Sequence, residues 1–157
     1  MLLLLNRNNI NTDKISILDK TENNIIPDGF FHRIIYNSET FCLNGLFISF
    51  NLSNFTIEKY YNKLKCVFNK KDNISIIEFL KHLENKLLND KCFNNYDKLH
   101  RIQEQLDQNF IKIYPNNSKI NFNDTKNIKL ILKISGIWSE NNSCGLTFRF
   151  FLTQYQQ

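Results

Sequence analysis

The feature that most constrains this chain is a pair of alternating runs near its C-terminal end. From Ile128 to Trp138 apolar residues recur at every second position, Glu140–Ser143 is polar, and Gly145–Thr153 alternates again. A period of two marks a strand with one buried face, and two such runs joined by a short polar turn make a β-hairpin. The segment Ile128–Leu152 is therefore predicted to be a hairpin. Gly145, just after the turn, is expected to take a positive φ or to mark a bulge.

Side chains alternate across a strand. Ile128, Leu130, Leu132, Ile134 and Gly136 fall on one face of the outgoing strand, and Lys129, Ile131, Lys133, Ser135 and Ile137 on the other. On the return strand Leu146, Phe148, Phe150 and Leu152 oppose Thr147, Arg149, Phe151 and Thr153. The first sets are predicted core, with Trp138. The second sets bring Lys129, Lys133, Arg149 and Phe151 to a common outer surface, provided the register keeps the faces aligned.

Upstream, Phe30–Tyr36 and Thr40–Phe50 are apolar runs separated by the turn Asn37-Ser38-Glu39. Lys59–Phe68 alternates as one strand. Tyr60, Leu64, Cys66 and Phe68 are expected inward, and Tyr61, Lys63, Lys65 and Val67 outward; a helix through Ile57, Tyr60, Tyr61 and Leu64 is the other option. Ser75 and Glu78 have capping-box spacing, and Ile74, Ile77, Leu80, Leu83, Leu87 and Leu88 give a helical stripe. A second helix is predicted over Asn95–Gln108. Phe110–Tyr114 returns to β, and Asn116–Lys126 is a polar loop. Residues 1–29 form a polar segment whose ordered parts are a short strand at Leu2–Leu5 and Ile15–Leu18, and residues 30–157 form the main domain. The fold class is mainly β with helical insertions, an α+β chain, as a small antiparallel barrel or curled sheet.

The chain has 157 residues, enough to bury a core without metal or disulfide staples. Its net charge of +5 suits an anionic partner if the lysines gather on one face. Cys42, Cys66, Cys92 and Cys144 have no metal-clip spacing and are expected to be free thiols in a reducing, intracellular compartment. The run Leu2–Leu5 is too short for a signal core or a membrane span. With four glycines there is no phosphate-cradling loop. His32, His82 and His100 are scattered, and Glu78, Glu84 and Glu104 fit exposed helix faces. No enzyme, cofactor or metal site is expected.

Cations interleaved with aromatics on a sheet face suit a single nucleic-acid strand. Lysine and arginine neutralise phosphates while rings stack on unpaired bases. The candidate residues are Tyr61, Lys63, Lys65, Lys129, Lys133, Arg149 and Phe151, with Tyr61 and Phe151 as stacking platforms. The residues alone leave the ordinary alternative open, since any half-buried sheet has a polar face rich in lysine.

The stretch IKLILKISGIWSENNSCGLTFRFFLTQ, Ile128–Gln154, resembles the closing hairpin of the OB-fold single-stranded-DNA-binding proteins of nucleocytoplasmic large DNA viruses. Ser135, Gly136, Trp138, Gly145, Thr147, Phe148, Arg149 and Gln154 fill the places of that pattern. Ile34–Phe50 resembles the family's first barrel hairpin, Lys63–Phe68 its next strand and Ile76–Leu88 the following helix. The resemblance implies an OB-like antiparallel barrel that binds single-stranded DNA, or RNA, without sequence preference, in viral DNA replication, repair or recombination. It also implies a host-cytoplasmic, viral-factory or virion location, with viral replication proteins or further copies of the chain as partners and no membrane. The rival expectation is a non-enzymatic structural or host-protein interaction domain whose hairpin adds a strand to a partner sheet.

Overall fold

The computed structural model describes residues 4–61, 63–114 and 128–154. Its strands are β1 (Leu5–Asn6), β2 (Ile15–Glu22), β3 (Phe30–Asn37), β4 (Cys42–Asn44), β5 (Leu46–Phe50), β6 (Phe55–Tyr60) and β7 (Lys63–Phe68). Helix α1 (Ile74–Leu88) follows, then β8 (Asp97–Leu99), helix α2 (Arg101–Asp107), β9 (Phe110–Ile113), β10 (Ile128–Glu140) and β11 (Ser143–Gln154). The chain is thus mainly β with two helices between the early and late strands, as its patterning predicts. No helix among the described residues is long and apolar enough to cross a membrane.

All eleven strands join one mixed sheet with the order β1-β5-β10-β11-β9-β7-β6. The sheet is open and mixed, where the patterning predicts an antiparallel barrel or curled sheet. Among the described residues the path ends at β1 and β6 without closing, and β1–β5, β11–β8 and β11–β9 are parallel pairs. The long hairpin β10–β11 forms the centre. Beyond β10, β5 pairs with Leu130–Ile134 and β3 with Gly136–Ser139. Beyond β11, β8 pairs with Ser143–Gly145 and β9 with Phe150. The N-terminal segment is woven in: β1 pairs with β5, and β2, longer than Ile15–Leu18, pairs with β3.

One face of this sheet is the core. Leu130, Leu132, Ile134, Phe150 and Leu152 are at most 1% exposed and form one cluster with Leu80, Leu83 and Leu88 of α1 and Ile102 and Leu106 of α2. Burying each such side chain contributes roughly 1.5–3 kcal/mol relative to exposure. The predicted stripe of α1 is this buried face except at Ile74, which is 53% exposed at the first turn.

Capping of α1 differs from expectation. Ser75 lies inside the helix, and Asn73 is at the cap position with no capping bond from its side chain. The Asn73 carboxamide instead accepts from Ser53 N (2.7 Å) and donates to the carbonyls of Ser53 and Asn69 (both 2.8 Å), tying the β5–β6 loop to the helix start. The second helix covers only Arg101–Asp107, because Asp97–Leu99 pairs with β11 instead. Glu84, expected on a solvent face, is wholly buried. It accepts Ile102 N (2.9 Å) and Gln103 N (2.8 Å), satisfying amides at the start of α2 that have no partner within the helix. His100, beside Arg101 at the start of α2, has a buried Nδ1 with no hydrogen-bond partner among the described residues. The predicted loop Asn116–Lys126 lies outside the described residues.

Candidate nucleic-acid interface

The sheet face opposite the core carries the candidate residues. In β10–β11, Lys129 faces Thr153, Ile131 faces Phe151, and Lys133 faces Arg149. These positions share a face as predicted. A bulge between Ile134 and Gly136 then shifts the register, so that Gly136 faces Thr147 and Trp138 faces Gly145.

That one extra residue inverts the alternation beyond it. Ile137, predicted outward, is 0% exposed in the core. Trp138, predicted core, joins the face of Lys133 and Arg149 and is partly exposed. Gly145 is not in a positive-φ conformation; its place is explained by Trp138, whose ring would lie 2.9–3.0 Å from any Cβ there.

A second segment is also corrected. Lys59–Phe68 is not one strand but the hairpin β6–β7, turning at Tyr61, which has φ 52°. Tyr60, expected inward, faces Lys63 on the outer surface and is 62% exposed. Tyr61 is therefore in the turn at the rim of the sheet, 90% exposed, with its ring edge-on to Tyr60 at 4.9 Å. Lys63 and Lys65 lie on the outer face as expected.

Strand β9 joins the two groups. Ile111 and Ile113 pair with Cys66 and Leu64 in the core, which turns Phe110, Lys112 and Tyr114 outward. Lys65 lies directly opposite Lys112. The outer face thus runs from Lys63 and Lys65 through Lys112 and Arg149 to Lys133 and Lys129.

Rings separate these cations. The Lys65 ammonium lies 4.2 Å from the Phe110 centroid, the Arg149 guanidinium 5.2 Å from Tyr114, and the Lys133 ammonium 5.3 Å from Phe47. Such contacts are worth about 0.5–1 kcal/mol at exposed sites. Among the described residues Lys63, Lys65, Lys112, Lys133 and Arg149 form no ion pair; the four that occur lie elsewhere. Glu58 faces Lys65 across β6–β7 without pairing with it. Lys133 opposite Arg149 and Lys65 opposite Lys112 are like-charge cross-strand pairs, which destabilise a sheet.

Two recesses open on this surface and share Lys112. One, of about 370 Å³, is lined by Tyr60, Lys63, Lys65 and Phe110. The other, of about 350 Å³, is lined by Gln105, Tyr114, Trp138, Thr147 and Arg149. Residue patterning missed Lys112, Tyr114, Phe110, Tyr60 and Trp138 as site residues. The alternation Phe110-Ile111-Lys112-Ile113-Tyr114 carried the signal for three of them; nothing in the sequence marks the bulge that exposes Trp138.

Neighbouring strands flank much of β10–β11, while Leu146–Arg149 lies between β8 and β9 with no strand beside it among the described residues. Among the described residues no group of three or more His, Cys, Asp or Glu side chains could hold a metal ion. No protein-family model, curated protein or solved structure matches this chain.

Proposed function

We propose that this protein binds single-stranded nucleic acid, DNA in the first instance, without strong sequence preference, along the outer face of its central sheet. The single observation that carries the reading is the continuous alternation of cations and rings from β7 to β10, with two like-charge pairs left unneutralised. A phosphodiester strand relieves that repulsion, and its bases find aromatic surface beside each charge. Lys63, Lys65, Lys112, Lys129, Lys133 and Arg149 are the phosphate contacts. Phe151, Phe110, Tyr114 and Tyr60 are stacking surfaces on the face, and Tyr61 extends them at the rim. With strands about 4.8 Å apart, β7 to β10 is roughly 14 Å across, room for a few nucleotides.

The finer fold reading goes with this function. The order of elements, with α1 following β7 and the Trp138-containing hairpin closing the chain, supports an opened OB-like arrangement akin to that of the large-DNA-virus single-strand binders. A role in viral DNA replication, repair or recombination, in the host cytoplasm or viral factory, follows from that kinship.

Fluorescence anisotropy with a labelled, unstructured oligonucleotide at low salt tests the reading. Saturable binding below high micromolar concentration is expected, and its absence refutes the function. A second reading has its own observation: among the described residues, the outer edge of β6 has no strand partner, which suits strand addition by a protein. Such an interface lacks the steep salt dependence of phosphate binding.

A further inference from the structure

The recess beside Trp138 is a break in the sheet. Strand β8 leaves β11 after Gly145, the chain passes through α2, and β9 rejoins β11 only at Phe150. Among the described residues Leu146–Arg149 therefore has no strand on that side, and the gap is a cavity of about 350 Å³. That volume is at the low end for small-molecule sites, suited to one nucleoside and too small for a stack.

Its walls are largely aromatic, and several of its side chains offer hydrogen-bond donors. The Trp138 ring lies across Gly145 on one side, and Tyr114 with Arg149 5.2 Å from its ring forms another. The Trp138 indole N–H donates to no acceptor among the described residues. The Gln105 side-chain oxygen accepts Lys112 N (2.7 Å), which leaves its NH₂ as a donor. The Thr147 hydroxyl is exposed at the mouth.

We infer that this recess takes a single unstacked nucleobase from the bound strand, held against Trp138 and read at its edge by Gln105 and Thr147. The inference rests on the single-strand-binding reading and deepens it. Unpaired bases are held in this way, splayed from the backbone onto an aromatic or guanidinium plane and hydrogen-bonded at their edges. The Gln105 NH₂ and the Thr147 hydroxyl match the carbonyl oxygens of thymine, whereas the amino group of adenine sets donor against donor at Gln105. One position of an otherwise sequence-tolerant strand thus acquires a preference.

Trp138 is the only tryptophan of the chain, so its emission reports on this recess alone. The test pairs that emission with anisotropy for an oligothymidylate, an oligoadenylate and an abasic strand of equal length. Binding of the oligothymidylate with saturable quenching of Trp138 is expected. The abasic strand should bind about 5- to 100-fold more weakly and leave the emission unchanged, with oligoadenylate between them. Trp138→Phe should narrow the affinity gap between thymidylate and abasic strands. Tight binding without quenching, or equal quenching by the abasic strand, overturns the base recess while leaving strand binding intact. If no strand binds, the function fails, and a thymidine monophosphate titration of Trp138 emission decides the recess separately: saturable quenching supports it and none overturns it.

Discussion

Replacing Lys112 and Lys133 together with glutamine removes one member of each like-charge pair on the proposed interface, and binding and stability should then move in opposite directions. If Lys63, Lys65, Lys112, Lys129, Lys133 and Arg149 each neutralise one phosphate, single-strand affinity should fall with salt at a log–log slope of about −4, from roughly −0.7 per contact. Between 50 and 200 mM salt that is a loss of about 300-fold. With four contacts the slope drops to about −3 and the loss to about 50-fold.

The free protein should not suffer. Relief of Lys65 against Lys112 and Arg149 against Lys133 is worth about 0.2–1 kcal/mol per pair. The lost contact between Lys133 and Phe47 takes back about 0.5–1 kcal/mol. The net lies between a loss of about 0.6 and a gain of about 1.5 kcal/mol, so the melting temperature should stay near the wild-type value or rise by up to about 6 °C. Anisotropy titrations at four or more salt concentrations, with thermal melts of both proteins, supply the numbers. A slope that stays at the wild-type value means these lysines do not meet phosphate. A loss of more than about 2 kcal/mol in the free variant means that they hold the sheet together, and the argument from unrelieved charge is wrong.

Other outcomes follow from the packing. Gly136→Ala would put a methyl 2.4 Å from the His32 carbonyl oxygen and from the Phe31 ring, so urea unfolding should show a loss of about 3 kcal/mol or more. In Gly145→Ala the atoms nearest the new methyl all belong to the partly exposed Trp138 side chain, none to the backbone; a loss nearer 1 kcal/mol with a shifted emission maximum is expected. Burial raises the Glu84 pKa above the ordinary carboxylate value, against the opposing pull of the Ile102 and Gln103 amides. The native state thus holds that proton more tightly, and the stability this confers is full below the unfolded carboxylate pKa and lost as pH rises through the raised value. Glu84→Gln should flatten that part of the pH profile of melting temperature; an unchanged profile refutes the assignment. Among the thiols, Cys42 should react first with a disulfide reagent at pH 8. Exposed Cys92 should follow more slowly, because a hydrogen bond to Asp90 raises its pKa. Cys66, pushed up to about 12 by burial, and buried Cys144 should react only on unfolding.

The β-rich class, the closing hairpin and α1 were legible because each is a long run whose period matches a buried face. Shorter elements were not, since local pattern does not reveal pairing. Asp97–Leu99 reads as helix yet becomes a strand through β11, and Tyr60–Lys63 reads as strand yet turns at Tyr61. Of the expected interface residues, Lys63, Lys65, Lys129, Lys133, Arg149 and Phe151 lie on one face; Tyr61 lies at its rim. Glu84 escaped notice because its partners, the amides of Ile102 and Gln103, come from a different helix.

The bulge in β10 has a cause in the neighbouring strands. Up to Ile134 the outer partner of β10 is β5, which begins at Leu46; from Gly136 it is β3, which pairs there through Arg33 to Phe30. Between β4, paired to β3, and β5, paired to β10, the chain turns at Gly45, with φ 102° and its missing Cβ only 2.9 Å from the Ile134 carbonyl oxygen. A strand that changes partners in mid-course must bend, and one extra residue at Ser135 supplies the bend while twisting the ladder. Gly136 then passes close under His32 and Phe31, where no side chain fits. The same bend turns Trp138 from the core side to the face of Arg149 and brings Ile137 inward to replace it. The three-strand junction that organises the sheet is thus also what places an aromatic ring beside the cations. Deleting Ser135 should therefore leave a regular ladder in which Ile134, Gly136, Ile137 and Trp138 simply alternate, with Ile137 still buried and the Trp138 emission unshifted. A blue-shifted emission from a folded deletion variant would show that Trp138 has gone to the core and that its pairing with Gly145 does not set its face.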